Sequence, residues 1–379
     1  MAVAISASHF ARFLPHRALF PSSSRKIPPA IARRMASEKS INAALSAPPP
    51  PSSSSLMIFD SHLHVWASPQ EASEKYPYHP GKEPTIPGDA AFLLECMAEA
   101  GVDGALVVQP INHMFDHSYV TTVLKMYPSK FIGCCLANPA EDGSGIAHLE
   151  QLILKDGYRA IRFNPYIWPS GQKMTNDIGK VLFSKAGELG APVGILCMKF
   201  AVCCLNIYEN CTCVKWMPPS RLIHEAIISC SAWYHGGLSL HVSEIEELCS
   251  MFPSTTVLLD HLGFSKPDEN GEENKNFSEL LKLSRFPQIY VKFSALFRLS
   301  KKPFPYEDLS TLLSQVISSY GASRVMWGSD FPYVVPECGY KGAKEAISLI
   351  ASHIPLSSSD LEWMMGRTAM QLFHEWKAF

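Results

Sequence analysis

The chain has 379 residues, 47% hydrophobic and 18% charged, enough for one large α/β core or two smaller domains. A formal net charge of −2 provides no overall field for nucleic acid or an anionic membrane. No apolar run reaches the ~18–20 residues that a membrane-spanning helix needs. The expected partner is therefore a small-molecule substrate, with no nucleic acid and no membrane, and the chain is compatible with a monomer or a homo-oligomer. The eleven cysteines are unevenly placed and give no disulfide framework, so a reducing compartment is the default expectation.

Residues 1–56 differ from the rest. They carry Arg12, Arg17, Arg25, Lys26, Arg33, Arg34 and Lys39 against a single acid, Glu38, and end in a Pro/Ser tract. Basic, Ser-rich and acid-poor N-termini have the composition of organelle transit peptides, and a Pro/Ser tract packs no core. The expectation is a disordered N-terminal extension directing the protein to a chloroplast, with a mitochondrion as the alternative. Met35 as a second start would give a cytosolic form, and an ordinary disordered tail is the bland reading.

From residue 57 onward, apolar β-like runs alternate with helix-like segments. The first strand is expected at 56–59, ending in Asp60-Ser61-His62-Leu63-His64. A long loop over 66–88 precedes a helix at 89–100, which Gly101 ends. Strands follow at 104–110, 131–139, 158–165 and 192–198, separated by helices at 120–127, 146–154 and 175–189. The last three strands are expected at 257–261, 289–294 and 325–330, and the tail from 357 as terminal helix. Continuous apolar strands alternating with helices belong to a parallel sheet covered by helices. Eight of them predict a (β/α)8 TIM barrel, with its active site at the C-terminal ends of the strands.

Segment 200–236 breaks this pattern. It holds Cys203, Cys204, Cys211, Cys213 and Cys230 with Trp216 and Trp233, and has neither helical nor strand periodicity. A translated retained intron, an inserted loop at the barrel mouth and a cysteine zinc loop all fit. The one-residue gap of Cys211-Thr212-Cys213 argues against zinc. Without the segment, the fifth strand runs smoothly into a helix after His241, with Ser243 as its expected cap.

Three motifs carry the chemistry. In a strand, residues two apart share a face, so His62 and His64 point together into the barrel mouth. Asp260-His261-Leu262-Gly263 ends the sixth strand and Gly328-Ser329-Asp330-Phe331-Pro332 ends the eighth. Together these stretches resemble the amidohydrolase superfamily, and within it the amidohydrolase-related branch of lactonases and decarboxylases. The resemblance covers roughly residues 56–373. Thr368 stands where that family usually has Asn, and the fifth strand ends in Cys197 and Met198 where metal-binding members have a histidine.

The resemblance implies a hydrolase acting on a small carboxylated lactone or similar ester-type ring bond. His62, His64, His261 and Asp330 would be metal ligands for zinc or manganese; in metal-independent members they act on the carbonyl oxygen and water directly. Asp330, His261 and Arg162 are the expected catalytic residues. Arg162, Lys292 and His113 are the expected substrate-binding residues, Arg162 because a guanidinium fork suits a carboxylate. His241 is a further ligand candidate. A metal-dependent decarboxylase and an inactive barrel or splice form with a binding role are the alternatives. No Gly-x-Gly-x-x-Gly, phosphate loop or Gly-x-Ser-x-Gly elbow competes with this reading.

Overall fold

The computed structural model describes residues 56–169, 171–197, 237–267 and 275–373. Residues 1–55 of the expected extension over 1–56, and the cysteine-rich segment 200–236, lie outside the described residues. Eight strands form one parallel sheet in chain order: β1 Phe59–Leu63, β2 Gly104–Val108, β3 Phe131–Leu136, β4 Tyr158–Phe163, β5 Val193–Ile195, β6 Val257–Leu259, β7 Ile289–Ser294 and β8 Val325–Gly328. Just beyond β8 the sheet meets its own beginning: Asp330 N donates to His62 O and His64 N to Phe331 O, both at 2.8 Å. The result is the expected (β/α)8 barrel, with helices between the strands.

Alternation along the strands sorts the core into two sides. Leu63, Val107, Ile161, Val193, Val257, Val291 and Val325 face outward into the large cluster under the helices. Phe59, Leu106, Ile132, Ala160, Leu258 and Met326 fill the barrel interior. Two residues further along, about 6.6 Å up each strand, the same inward positions carry Arg162, Asp260 and Lys292, all buried. The barrel is therefore an apolar plug with a charged layer on top.

Local differences from the sequence expectation have local causes. β1 begins at Phe59, not at 56, because pairing with β2 starts at Phe59 opposite Gly104. The polar run Asp60-Ser61-His62 is thus strand, although its composition suggests a loop. Within 66–88 lies a short helix, Pro69–Glu74, closed by a Ser68–Glu71 capping box, a pattern readable in sequence. The helix Val242–Met251 starts two residues too early for Ser243 to cap it; His241 holds the cap position and makes no side-chain cap bond. The C-terminal tail is helical in three joined pieces, Ser358–Glu362, a wider π turn at Trp363–Arg367, and Thr368–Leu372.

Candidate active site

The site begins with an irregularity in β1. Between Asp60 and Leu63 the register against β2 shifts, which is how Phe59 and, three residues on, His62 both come to face inward. Asp60 holds this bulge: its Oδ1 accepts from His62 N and from Ser329 N, each at 3.0 Å, and its Oδ2 accepts from the Tyr340 hydroxyl at 3.0 Å. One buried carboxyl therefore fixes the ends of β1 and β8 relative to each other. Burial pushes its pKa up to about 6, against the pull of those hydrogen bonds. Gly328 makes room opposite: a Cβ there would lie 2.8 Å from His62 Cβ.

His64 Nδ1 lies 2.8 Å from Val108 O. A carbonyl only accepts, so Nδ1 carries the proton and the Nε2 lone pair faces Asp330 Oδ1 at 3.6 Å. Burial, reinforced by the Arg162 charge, pushes the His64 pKa down to about 3. Burial likewise holds His62 and His261 well below the ordinary histidine range. All three rings are neutral at physiological pH, as metal ligands or neutral hydrogen-bonding groups must be.

Asp330 sits on the other side of the cleft with φ of 64°, a left-handed conformation rare for a non-glycine residue. The backbone bond to His62 O holds it there. Its Oδ2 accepts from Arg298 Nε at 2.9 Å. Burial raises its pKa above the ordinary aspartate value, and the Arg298 and Arg162 charges oppose that rise. The ligand atoms of His62, His64 and Asp330 all lie within 4.8 Å of one another. His62 Nε2 is buried without a hydrogen-bond partner among the described residues and stands 4.0 Å from Asp330 Oδ1. Two imidazoles, one carboxylate and an orphaned nitrogen between them fit a divalent ion such as zinc. His261 is outside this trio. Its Nδ1 is 2.8 Å from Ser294 Oγ, and its ring lies 4.5 Å from that of His62, centroid to centroid.

Beneath the trio lies a second buried cluster. Asp260 Oδ1 is 3.2 Å from His62 Nδ1 and 3.1 Å from Lys292 Nζ; its Oδ2 is 3.3 Å from Arg162 Nη2. Burial alone would raise the Asp260 pKa. The charges of Lys292 and Arg162 around it outweigh burial and hold it well below the usual carboxylate range.

A cavity of about 210 Å³ opens above these groups. His64, Arg162, His261, Arg298 and Asp330 supply its polar face, and Ile111, Leu196, Phe264 and Tyr333 its apolar face. Of the residues expected from sequence, His64, His261, Arg162 and Asp330 line this cavity, with His62 directly behind. Lys292 does not: it is 1% exposed and faces Asp260 and His62 under the floor. His113 is not among the lining residues either. Its Nε2 accepts from Ala67 N at 3.3 Å, its Nδ1 is 3.1 Å from Pro77 O, and its ring stacks on Tyr119. Both nitrogens thus hold the 66–88 loop. His241 is buried beside Glu244, Nδ1 to Oε1 3.5 Å, apart from the trio.

Sequence reading missed two functional groups. Arg298, on the short helix Leu296–Leu299 after β7, stacks over Tyr333 at 4.8 Å and pairs with Asp330. No motif marks it; a strand-to-helix position at the barrel mouth was the available signal. Asp260 was read as a strand residue, although a carboxylate one residue before His261 at a strand end is a signal for a buried ion pair.

Comparison with known proteins agrees with this geometry. The family model described as Amidohydrolase (Amidohydro_2) matches residues 59–374. The 4-sulfomuconolactone hydrolase of Hydrogenophaga intermedia is 22% identical over 281 residues, which cover 73% of this chain and 74% of that protein. Among solved structures, a candidate 2-pyrone-4,6-dicarboxylic acid hydrolase from Pseudomonas putida superposes with a TM-score of 0.60 at 20% identity, covering 84% of this chain and 98% of the other. The 2,6-dihydroxybenzoate decarboxylase from Rhizobium superposes with a TM-score of 0.55 at 13% identity, covering 84% and 99%. A family match over most of the chain, on a barrel that gathers His62, His64 and Asp330 at its mouth, establishes that the chain belongs to the amidohydrolase family.

Proposed function

We propose that the protein hydrolyses an ester-type C–O bond in a small carboxylated lactone. The observation that carries this reading is Asp330. It is a buried carboxyl held in a strained backbone conformation, facing a cavity with neutral histidines on one side and two arginines on its polar face. Asp330 takes the proton of the attacking water and later returns it to the leaving oxygen. Arg162 and Arg298 attract and orient the substrate carboxylate. His261 donates to the carbonyl oxygen, whose developing negative charge the two arginines also favour. The apolar face of Ile111, Phe264 and Tyr333 suits a flat unsaturated ring.

His62, His64 and Asp330 would hold a divalent ion, zinc or manganese; bound there, it supplies positive charge that polarises the carbonyl and favours deprotonation of water near neutral pH. Without an ion, His261 and the two arginines act on the carbonyl oxygen themselves. The relatives support a lactone substrate: one similar protein is a sulfomuconolactone hydrolase and one similar fold a candidate pyrone dicarboxylate hydrolase. Decarboxylation of an unsaturated carboxylate by the same groups is the second reading, favoured by the carboxylate-facing arginines. The basic, acid-poor N-terminus supports chloroplast import, which a fluorescent fusion of the full chain checks.

The test is a two-part assay on the full chain purified without chelator. Bound metal is measured by mass spectrometry, and muconolactone- and pyrone-type carboxylates are followed for ring opening and for released CO2. Ring opening that Asp330→Asn eliminates supports the proposal. CO2 release without ring opening gives the decarboxylase. Ring opening or CO2 release that survives substitution of His62, His64 and Asp330 removes the catalytic reading of these residues.

A further inference from the structure

We propose that Asn164 is a further substrate-binding residue, whose side-chain amide donates a hydrogen bond to an uncharged acceptor on the substrate ring, away from the scissile bond. This rests on the reading of the cavity as the site for a small carboxylated ring. It narrows that class to rings that carry such an acceptor: a ring heteroatom, a carbonyl oxygen or a hydroxyl oxygen.

Asn164 follows β4 directly and keeps an extended backbone, φ −116° and ψ 101°, so strand alternation carries on through it. Ala160, Arg162 and Asn164 therefore share the inward face, and Arg162 and Asn164 both line the cavity. Asn164 is nevertheless only 3% exposed. One bond fixes its orientation: Tyr166 N donates to Asn164 Oδ1 at 3.1 Å. A backbone N–H needs an acceptor, so the amide oxygen lies on that side and the NH2 group on the other. Two N–H donors are thereby turned away from the backbone. Among the described residues none accepts from Nδ2. A donor on so buried a side chain is expensive unless something meets it, and the cavity is its open side.

The surroundings decide what that acceptor is. β4 lies four strands from β8 in either direction around the closed barrel, so Asn164 stands across the mouth from Asp330 and the scissile bond beside it. Arg162 lies two residues earlier on the same face, about 6.6 Å down the strand. A carboxylate prefers that charged fork to a neutral amide. His261 attends the carbonyl oxygen under attack. What remains for Asn164 is an uncharged acceptor on the far edge of the ring. A bare hydrocarbon edge would leave the amide donors buried and unmet, which is how a site built to hydrogen-bond rejects an analogue lacking the group.

The experiment measures, by calorimetry near neutral pH, binding of three flat acids of one shape to the full chain: benzoate, pyridine-3-carboxylate and pyridine-4-carboxylate. They differ only in whether the ring edge presents a C–H or a bare nitrogen acceptor. At least one pyridine acid is expected to bind about fivefold tighter than benzoate, the effect of one hydrogen bond. Asn164→Ser keeps an oxygen for Tyr166 N but is one bond shorter on the cavity side, and is expected to erase that preference. The ratio is the readout, since a merely structural loss lowers all three affinities together. Equal or weaker binding of both pyridine acids to the wild-type protein overturns the proposal, and this measurement stands even if Asn164→Ser fails to fold. A preference that survives in a folded Asn164→Ser also overturns it, because another group, a bound metal included, then meets the nitrogen. If none of the three acids binds, the reading of the cavity as a carboxylate site fails and the proposal falls with it. A preference that Asn164→Ser erases, in a protein that neither opens lactone rings nor releases CO2, supports Asn164, and it is the reading of the reaction that fails.

Discussion

The lower and upper layers of the barrel interior are built on the same inward positions of the same strands, yet they do opposite things. On β4 Ala160 is followed two residues later by Arg162, and on β6 Leu258 by Asp260. The lower layer is apolar, self-sufficient and stabilising by burial alone. The upper layer takes charges out of water, which is tolerable only because each is opposed: Asp260 by Lys292 and Arg162, Asp330 by Arg298. One layer therefore stabilises the protein without contacting substrate. The other carries a desolvation cost and supplies Arg162, Arg298 and Asp330 to the polar face of the cavity.

Breaking the layers separately should show this division. The largest effect is expected from Asp330→Asn, which keeps the shape and removes the base. Turnover should fall by roughly 10²–10⁴-fold with an unchanged circular dichroism spectrum and melting temperature. Retained turnover would sink the role of Asp330. Asp260→Ala removes the anion shared by Lys292 and Arg162 and should cost about 3–5 kcal/mol in urea unfolding, together with nearly all activity. Below it, Leu258→Ala should cost a comparable ~2–5 kcal/mol but leave KM close to wild type. If Leu258→Ala damaged catalysis as severely as Asp260→Ala, the two layers would not be separable.

Gly328→Ala sharpens the comparison at the seam between strands. The added Cβ would sit 2.8 Å from His62 Cβ and 3.1 Å from Ser294 Cβ, so His62 must shift. Activity should fall by about tenfold or more for a misplaced group, with a smaller change in stability than Asp260→Ala produces. The smallest effect is a pH shift. Asp330 must be ionised to act as base and its pKa is raised by burial, so kcat/KM should climb through a midpoint above the usual aspartate range. Arg298 lowers that pKa. Its loss in Arg298→Leu should therefore move the midpoint upward. A downward move would show that Arg298 does not set the ionisation of Asp330.

Much of this was legible in the chain. Eight apolar runs separated by helical stretches determine a parallel barrel, because strands buried on both faces need helices to cover them. His62, His64, His261, Arg162 and Asp330 were readable as a group because each stands at or near a strand end, where a barrel collects residues distant in sequence. Their tasks were not readable. Lys292 and His113 carry the right chemistry for binding substrate, yet one is sealed under the floor by Asp260 and the other is occupied by the backbone of the 66–88 loop. Arg298 carries no motif and reaches the cavity because the turn after β7 aims it there. Strand period and composition are local properties, which sequence determines by itself. Which of two buried neighbours a nitrogen faces, and whether a cation meets solvent or a carboxylate, depends on residues up to 230 positions apart. Only the closed barrel brings those residues together, so only the tertiary structure decided them.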